Sequence, residues 1–375
     1  MHKKIHYFES LSALRFFAAF LVVIHHAETI RLNYNMFNFK QYSLFNNGGF
    51  AVSFFFVLSG FLITYLLLRE KESTNKISIR KFYLRRILRI WPLYYLLVFI
   101  GTILLPCILI YFSSNVHVPY SFGEVILYYM FFAPFMVNVF YGHHFLEPLW
   151  SIGVEEIFYL IWAPLLKFFH DNTLTIILLI IIIKVSIMVI MFHFFQETIL
   201  FEVLSLLKFE AMAIGGLGAY LLFNSNRHLS SLIIFKKPFQ VFMFLLLVLK
   251  ITSFKYISVN GGFMSFIFNT PLLSNFIFNF IFLWLILNIS LNKVKIFSLN
   301  SKVLTFLGDI SYGIYMYHML VIFAVILFAS NFLNGLNNLY STIVFYTISL
   351  FLILLISFFS KIFFEDKFLN LKKNV

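Results

Sequence analysis

Four groups of ionisable side chains fall inside otherwise apolar stretches of this sequence. Arg15, His25 and His26 lie in LRFFAAFLVVIHHAET, and Arg86 and Arg89 lie in FYLRRILRIWPLYY. Glu155 and Glu156 lie in PLWSIGVEEIFYLIW, and Asp309 and His318 in GDISYGIYMYH. An imidazole in such surroundings suits proton transfer or nucleophilic work near neutral pH. A nearby carboxylate would hold its tautomer and stabilise the imidazolium. Paired guanidinium forks suit phosphate.

Helical geometry sorts these candidates. Eleven steps of about 100° bring His26 back to within about 20° of the face of Arg15, while His25 falls about 80° away. The rise places Arg15 and His26 about 16 Å apart, so a cation and an imidazole could line one cavity at different depths. Arg86 and Arg89, at i and i+3, share a face. Glu155 and Glu156 diverge by about 100°, so at most one points squarely at a given partner. His318 lies roughly opposite Asp309 and shares its face with no charged residue, which makes it a weaker chemical candidate than His26. Plainer roles stand beside these. Arg15 could snorkel with both histidines at an interface, a Glu could bond another helix, and the basic stretch could set topology and bind anionic lipid.

The remaining polar sites read as structural. His143 and His144 beside Glu147 suggest an exposed loop, and Ser59-Gly60 suggests close helix packing. Glu202, Lys208 and Glu210 suggest mutual pairing or the lining of a pathway. Cys107 is the only cysteine, which excludes an intrachain disulfide and a Cys-based zinc cluster. With no zinc spacing, haem motif or Gly-rich phosphate loop, no metal is expected.

Composition dictates what must position these groups. Of 375 residues, 61% are hydrophobic, 11% are charged and 54 are Phe. A soluble domain needs about 25% charged residues, so a water-exposed globule is excluded. Apolar runs of spanning length occur at 11–30, 48–68, 92–112, 149–168, 174–195, 206–223, 239–254, 263–290, 303–330 and 341–363. The run 263–290 is broken by Pro271, and 123–141 reads as interfacial or re-entrant. The expectation is an all-α polytopic membrane protein of about ten helices, forming a single domain over 1–375 with no appended extracytoplasmic domain. With both termini inside, the inner segments hold 21 Lys and Arg against four outside (Arg31, Lys40, Lys250 and Lys255), with Arg15, Lys184 and Lys208 inside spans. That asymmetry predicts cytoplasmic termini, and it assigns the net charge of +13 to membrane topology rather than nucleic acid. Lys3 and Lys4 precede an apolar stretch as in a signal peptide, but Arg15 interrupts it and a retained first span is expected.

The chain resembles the acyltransferase-3 family of integral membrane acyltransferases, many of which O-acetylate bacterial surface glycans. Arg15 and His26 match the family's Arg, ten residues, His motif, which selects His26 over His25. FFFVLSGFLI (54–63), RRILRIWPLYY (85–95), WSIGVEEIFYLIW (150–162) and SYGIYMYH (311–318) are similar to further family segments in the family's order. Two positions depart from it: Ser53 stands where many members are acidic, and Lys208 where an arginine is expected.

The resemblance implies ten spans in the bacterial inner membrane, an acyl-CoA donor with no permanently bound cofactor, and an acceptor hydroxyl on a glycan or lipid-linked sugar. Acetyl is the expected acyl group, with succinyl as the alternative, and lipopolysaccharide O-antigen or capsule the expected acceptor, with a periplasmic glucan, peptidoglycan or a small lipid-linked molecule behind. Set beside the residue reading, Arg86 and Arg89 would hold the CoA phosphates. The thioester would then reach toward Arg15 and His26 through a water-accessible tunnel. His26 would abstract the acceptor proton or carry the acyl group, with Glu155 orienting it. Two other classes compete: a proton-coupled transporter or flippase using the intramembrane ionisable groups, and a membrane scaffold.

Overall fold

The computed structural model describes residues 9–111, 118–224, 232–259, 262–291, 295–297 and 299–371. Lys3, Lys4, Arg227, Lys293, Lys372 and Lys373, counted in the charge asymmetry, lie outside the described residues. All regular structure among those described is helical. In hydrocarbon every backbone N–H and C=O must find a partner within its own segment, and the helix achieves this.

In chain order come α1 (Glu9–Asn33), α2 (Gly48–Thr74) and α3 (Ile79–Phe99), which continues through a π-helical turn into α4 (Leu105–Tyr111). Next are α5 (Phe122–Met130), α6 (Pro134–Tyr141), α7 (Leu149–Phe168), α8 (Thr173–Phe194), α9 (Ile199–Leu206) and α10 (Phe209–Asn224). The last are α11 (Lys237–Val259), α12 (Gly262–Asn269), α13 (Pro271–Leu291), α14 (Lys302–Asp309), α15 (Ser311–Asn334), α16 (Asn338–Ser360) and α17 (Asp366–Leu371). Nine stretches among the described residues are helical, long and apolar enough to cross a membrane. The protein is an all-α, multi-pass membrane protein.

Several boundaries differ from those expected. The run 206–223 is the 16-residue α10, and Lys208 sits in the break before it rather than within a span. The basic stretch 69–90 is not a connection. Its residues ride on the last turns of α2 and the first turns of α3, joined only by 75–78, because Lys and Arg are good helix formers with stems that lie along apolar surface. Ser78 caps α3 by accepting from the Lys81 backbone N–H. Arg31 belongs to the last turns of α1, and Lys250 and Lys255 to α11, rather than to outer connections. The run 303–330 breaks at Ile310, between α14 and α15. Pro271 does interrupt 263–290, as the first residue of α13. The stretch 123–141 forms the short helices α5 and α6, joined by a turn with Phe132 at φ 54°. Neither is long enough to span.

The chain divides into two compact units, residues 1–25, 39–77 and 162–309, and residues 26–38, 78–161 and 310–375. Helices α1 and α7 contribute to both.

In the first unit α2 and α10 cross at glycines. A Cβ at Gly60 would lie 1.9 Å from the Met212 carbonyl oxygen, and one at Gly215 would lie 1.9 Å from that of Val57. Beside this crossing the Trp162 indole N–H donates to Thr64 Oγ1 at 2.9 Å, over Gly216. The intramembrane cations are accommodated by π faces and carbonyls. Lys250 Nζ lies 3.7 Å from the Phe254 ring centre, with Phe268 and Phe278 behind, and Lys184 donates to the Leu204 carbonyl beside the α9–α10 break.

In the second unit α15 packs along α16, with Gly313 against Ser357 and the Tyr317 hydroxyl bonded to Ser360 Oγ at 3.0 Å. A buried ion pair ties α1 to α16. Arg31 donates to Glu28 Oε1 at 2.8 Å and to Thr342 Oγ1 at 2.7 Å, Tyr346 donates to the same Glu28 oxygen, and Arg31 and Glu28 are both 0% exposed. Removing one partner of such a pair strands the other charge. Arg31→Met is therefore expected to lower stability by about 3–5 kcal/mol. Thermal unfolding in detergent reads this, and the double variant Glu28→Gln/Arg31→Met should recover part of the loss.

Candidate active site

The second unit assembles a string of three histidines and one carboxylate. His26 on α1 and His318 on α15 stack with ring centres 5.0 Å apart, and His26 Nδ1 lies 2.9 Å from His318 Nε2. His318 is fully buried, and its Nδ1 is 2.6 Å from the backbone carbonyl of Tyr315, almost one turn earlier on α15. The Tyr315 hydroxyl is anchored in turn on the start of α7, donating to the Pro148 carbonyl at 3.1 Å and lying 2.8 Å from Ser151 Oγ.

Beyond His26 the string continues through the segment before α7. His26 Nε2 is 4.0 Å from Glu147 Oε1, and Glu147 Oε2 is 2.7 Å from His143 Nδ1. Exposure rises along this line, from 13% at the His26 side chain to 69% at His143. A tight turn places Glu147: its backbone N–H donates to the His144 carbonyl, and its own carbonyl accepts from the Asn138 amide. The 143–147 segment is therefore not the simple exposed loop expected. His144 is 1% exposed, packs edge-on against Tyr120, and is held neutral by burial that pushes its imidazole down to about 4.

A second polar group surrounds the basic face of α3. The Trp91 indole donates to Glu156 Oε2 at 2.9 Å, and Tyr159 donates to Glu155 Oε2 at 2.7 Å. Both carboxylates and Tyr159 lie within electrostatic reach of the Arg86 guanidinium, and Arg89 is the neighbouring like charge. Arg86 is half-buried and Arg89 exposed. Two buried atoms here have no hydrogen-bond partner, Arg86 Nε and Glu156 Oε1. Buried polar atoms are normally satisfied, so such a pair marks a place for a polar ligand or water.

The expected site residues thus fall in two places. His26, Glu155, Arg86 and Arg89 are in the second unit, whereas Arg15 is half-buried on the first half of α1, within the first unit. His25 also belongs to the first unit, where its Nδ1 lies 3.2 Å from the Phe45 carbonyl. The carboxylate recorded beside His26 is Glu147, while Glu155 is bonded to Tyr159. Among the described residues no group of three or more His, Cys, Asp or Glu is disposed to hold a metal.

The family model described as an acyltransferase domain, that of the acyltransferase-3 family, matches residues 8–361. The chain belongs to this family. Among similar acyltransferases, the peptidoglycan O-acetyltransferase OatA of Listeria monocytogenes is 30% identical over 172 residues, 44% of this chain and 25% of that protein. YrhL of Bacillus subtilis, provisionally assigned as a peptidoglycan O-acetyltransferase, is 33% identical over 174 residues, again 44% of this chain and 25% of its own. A Staphylococcus aureus protein provisionally assigned as an O-acetyltransferase is 33% identical over 171 residues, 44% of this chain and 26% of its own. The matched part of the chain thus spans about a quarter of the curated relatives. No solved structure matches it.

Proposed function

We propose that this acyltransferase-3 chain moves an acetyl group from acetyl-CoA to a hydroxyl of a cell-envelope glycan, from a place in the bacterial inner membrane with both termini cytoplasmic. The observation that carries the reading is a half-buried histidine paired with a fully buried one and facing a carboxylate, in a chain of this family. An imidazole so held can act as a base or carry an acyl group, and a transporter reading gives no reason for the unpaired guanidinium and carboxylate atoms on α3 and α7. His26 is the reacting base or nucleophile in this reading.

Arg86 and Arg89 hold the CoA phosphates, with the planar fork suited to bidentate contact. Glu155 and Glu156 serve here as counter-charges to Arg86, and Glu155 is also the candidate to orient His26. The relatives named for peptidoglycan favour that polymer as acceptor, while lipopolysaccharide O-antigen or capsule suits the same chemistry. Mass spectrometry of envelope glycans with and without the chain tests the reading. One added acetyl mass per repeat on one polymer is expected, and identical spectra would remove it. The donor role has its own test. Arg86→Lys keeps the charge facing Glu156 but loses the fork, so KM for acetyl-CoA should rise about tenfold or more with kcat nearly unchanged. An unaltered KM would remove Arg86 from donor binding.

A further inference from the structure

The hydrogen-bond string through His26 has a direction that its buried end sets. A backbone carbonyl can only accept, so His318 Nδ1, at 2.6 Å from the Tyr315 carbonyl, must carry the hydrogen. In the neutral imidazole this leaves His318 Nε2 with the lone pair. His26 Nδ1, 2.9 Å from that nitrogen, must then be the donor, and the lone pair of His26 resides on Nε2. At 4.0 Å, Glu147 is too far from Nε2 to engage it in a hydrogen bond, yet close enough to stabilise positive charge that develops there.

We propose that His318 is a positioning residue that fixes the tautomer of His26, that Nε2 of His26 is its reacting nitrogen, and that Glu147 stabilises the imidazolium formed on it. The proposal rests on the transferase reading above and deepens it. In the base route the acceptor O–H proton passes to His26 Nε2 as the hydroxyl oxygen bonds to the thioester carbon. The C–S bond breaks, and the departing CoA thiolate takes that proton. His318 accepts from Nδ1 throughout and so holds the ring plane while Nε2 gains and loses its proton. The division of labour resembles that of a Ser-His-Asp triad, with a backbone-anchored imidazole in the place of the aspartate.

Two measurements test it on the full chain. In the first, His318→Leu removes the acceptor, whereas His318→Gln offers an amide oxygen where Nε2 stood. His318→Leu should lower kcat about 100-fold with KM for acetyl-CoA unchanged, and His318→Gln should return to within about tenfold of the parent. Equal activities of the parent and His318→Leu would overturn the proposal. Equal losses in both variants would also overturn it, since a packing role does not distinguish the two side chains in this way.

The second measurement uses the parent protein and so does not depend on a variant's folding. In nitrogen-15 spectra of histidine-labelled protein in detergent, the His26 signals are assigned by their loss in His26→Gln. They should show a protonated Nδ1 and an unprotonated Nε2. The opposite tautomer would overturn the proposal. Full activity in His26→Gln would instead remove the transferase reading of this site, whichever tautomer is found.

Discussion

Replacement of His26 by alanine is expected to abolish acetyl transfer while leaving the protein folded in the membrane. The expected loss is at least about 10²–10⁴-fold, the range in which a positioned acid or base contributes, and larger if the imidazole carries the acyl group itself. It should appear in kcat at saturating acetyl-CoA, because donor binding is assigned to α3. The side chain is mostly buried at 13% exposure but sits at the wetter end of the histidine pair, so its truncation leaves α1 and its anchoring Arg31–Glu28 pair in place. The neighbouring His25→Ala is the control. His25 belongs to the first unit and bonds the Phe45 carbonyl, so it should retain turnover. Transfer by membranes holding equal amounts of each variant decides between them, and unchanged turnover in His26→Ala would remove the mechanism.

The second large effect is structural. Gly60 and Gly215 face each other's helices so closely that an added Cβ would meet a backbone carbonyl oxygen at 1.9 Å in each case. Backbone cannot rotate away as a flexible side chain can, so α2 and α10 must separate. In a bilayer this matters more than in water, because helix association relies on close packing of small residues rather than on apolar burial. Gly215→Leu and Gly60→Leu are each expected to cost about 3 kcal/mol or more, at or above the upper end of what overpacking typically costs. Loss of monodisperse protein on size-exclusion chromatography and a lower unfolding temperature are the expected readouts. Gly49→Ala, on the same α2 but with nothing within 4 Å, should be neutral or slightly stabilising. Equal behaviour of Gly49→Ala and Gly215→Leu would contradict the packing argument.

The two effects separate what sequence pattern can and cannot show. The membrane-spanning character is legible because 11% charged residues cannot cover a water-exposed surface, and in hydrocarbon a helix satisfies its own backbone. The breaks were less so. The run 303–330 is apolar enough, despite Asp309 and His318, to read as one span, yet the chain turns at Ile310, where Gly308 lies against the Ser12 carbonyl of α1. The basic stretch reads as a connection because a run of charge resembles a boundary, although arginine is at home in a helix whose end meets the interface.

The same limit governs the site. His26 was legible from its own helix, through its register with Arg15. His318 is the weaker candidate by sequence because no charged residue shares its face on α15, but its partner is supplied by α1, 292 residues away in sequence. Glu147 was hidden by its HH-containing neighbourhood, which has the look of a loop. Helical periodicity sorts residues on one helix and is silent about contacts between helices. The one local signal for His318 was the Tyr-rich SYGIYMYH segment, in which the Tyr315 carbonyl lies three residues back and so within reach of the ring.

The most direct measurement follows labelled acetyl groups through membrane vesicles that contain the chain, supplied with isotope-labelled acetyl-CoA and native envelope glycan. Label should appear on the glycan with the parent chain, and be absent with His26→Ala and in vesicles lacking the chain. Equal labelling in all three, or acetyl-CoA left intact by the parent, would contradict transfer through His26.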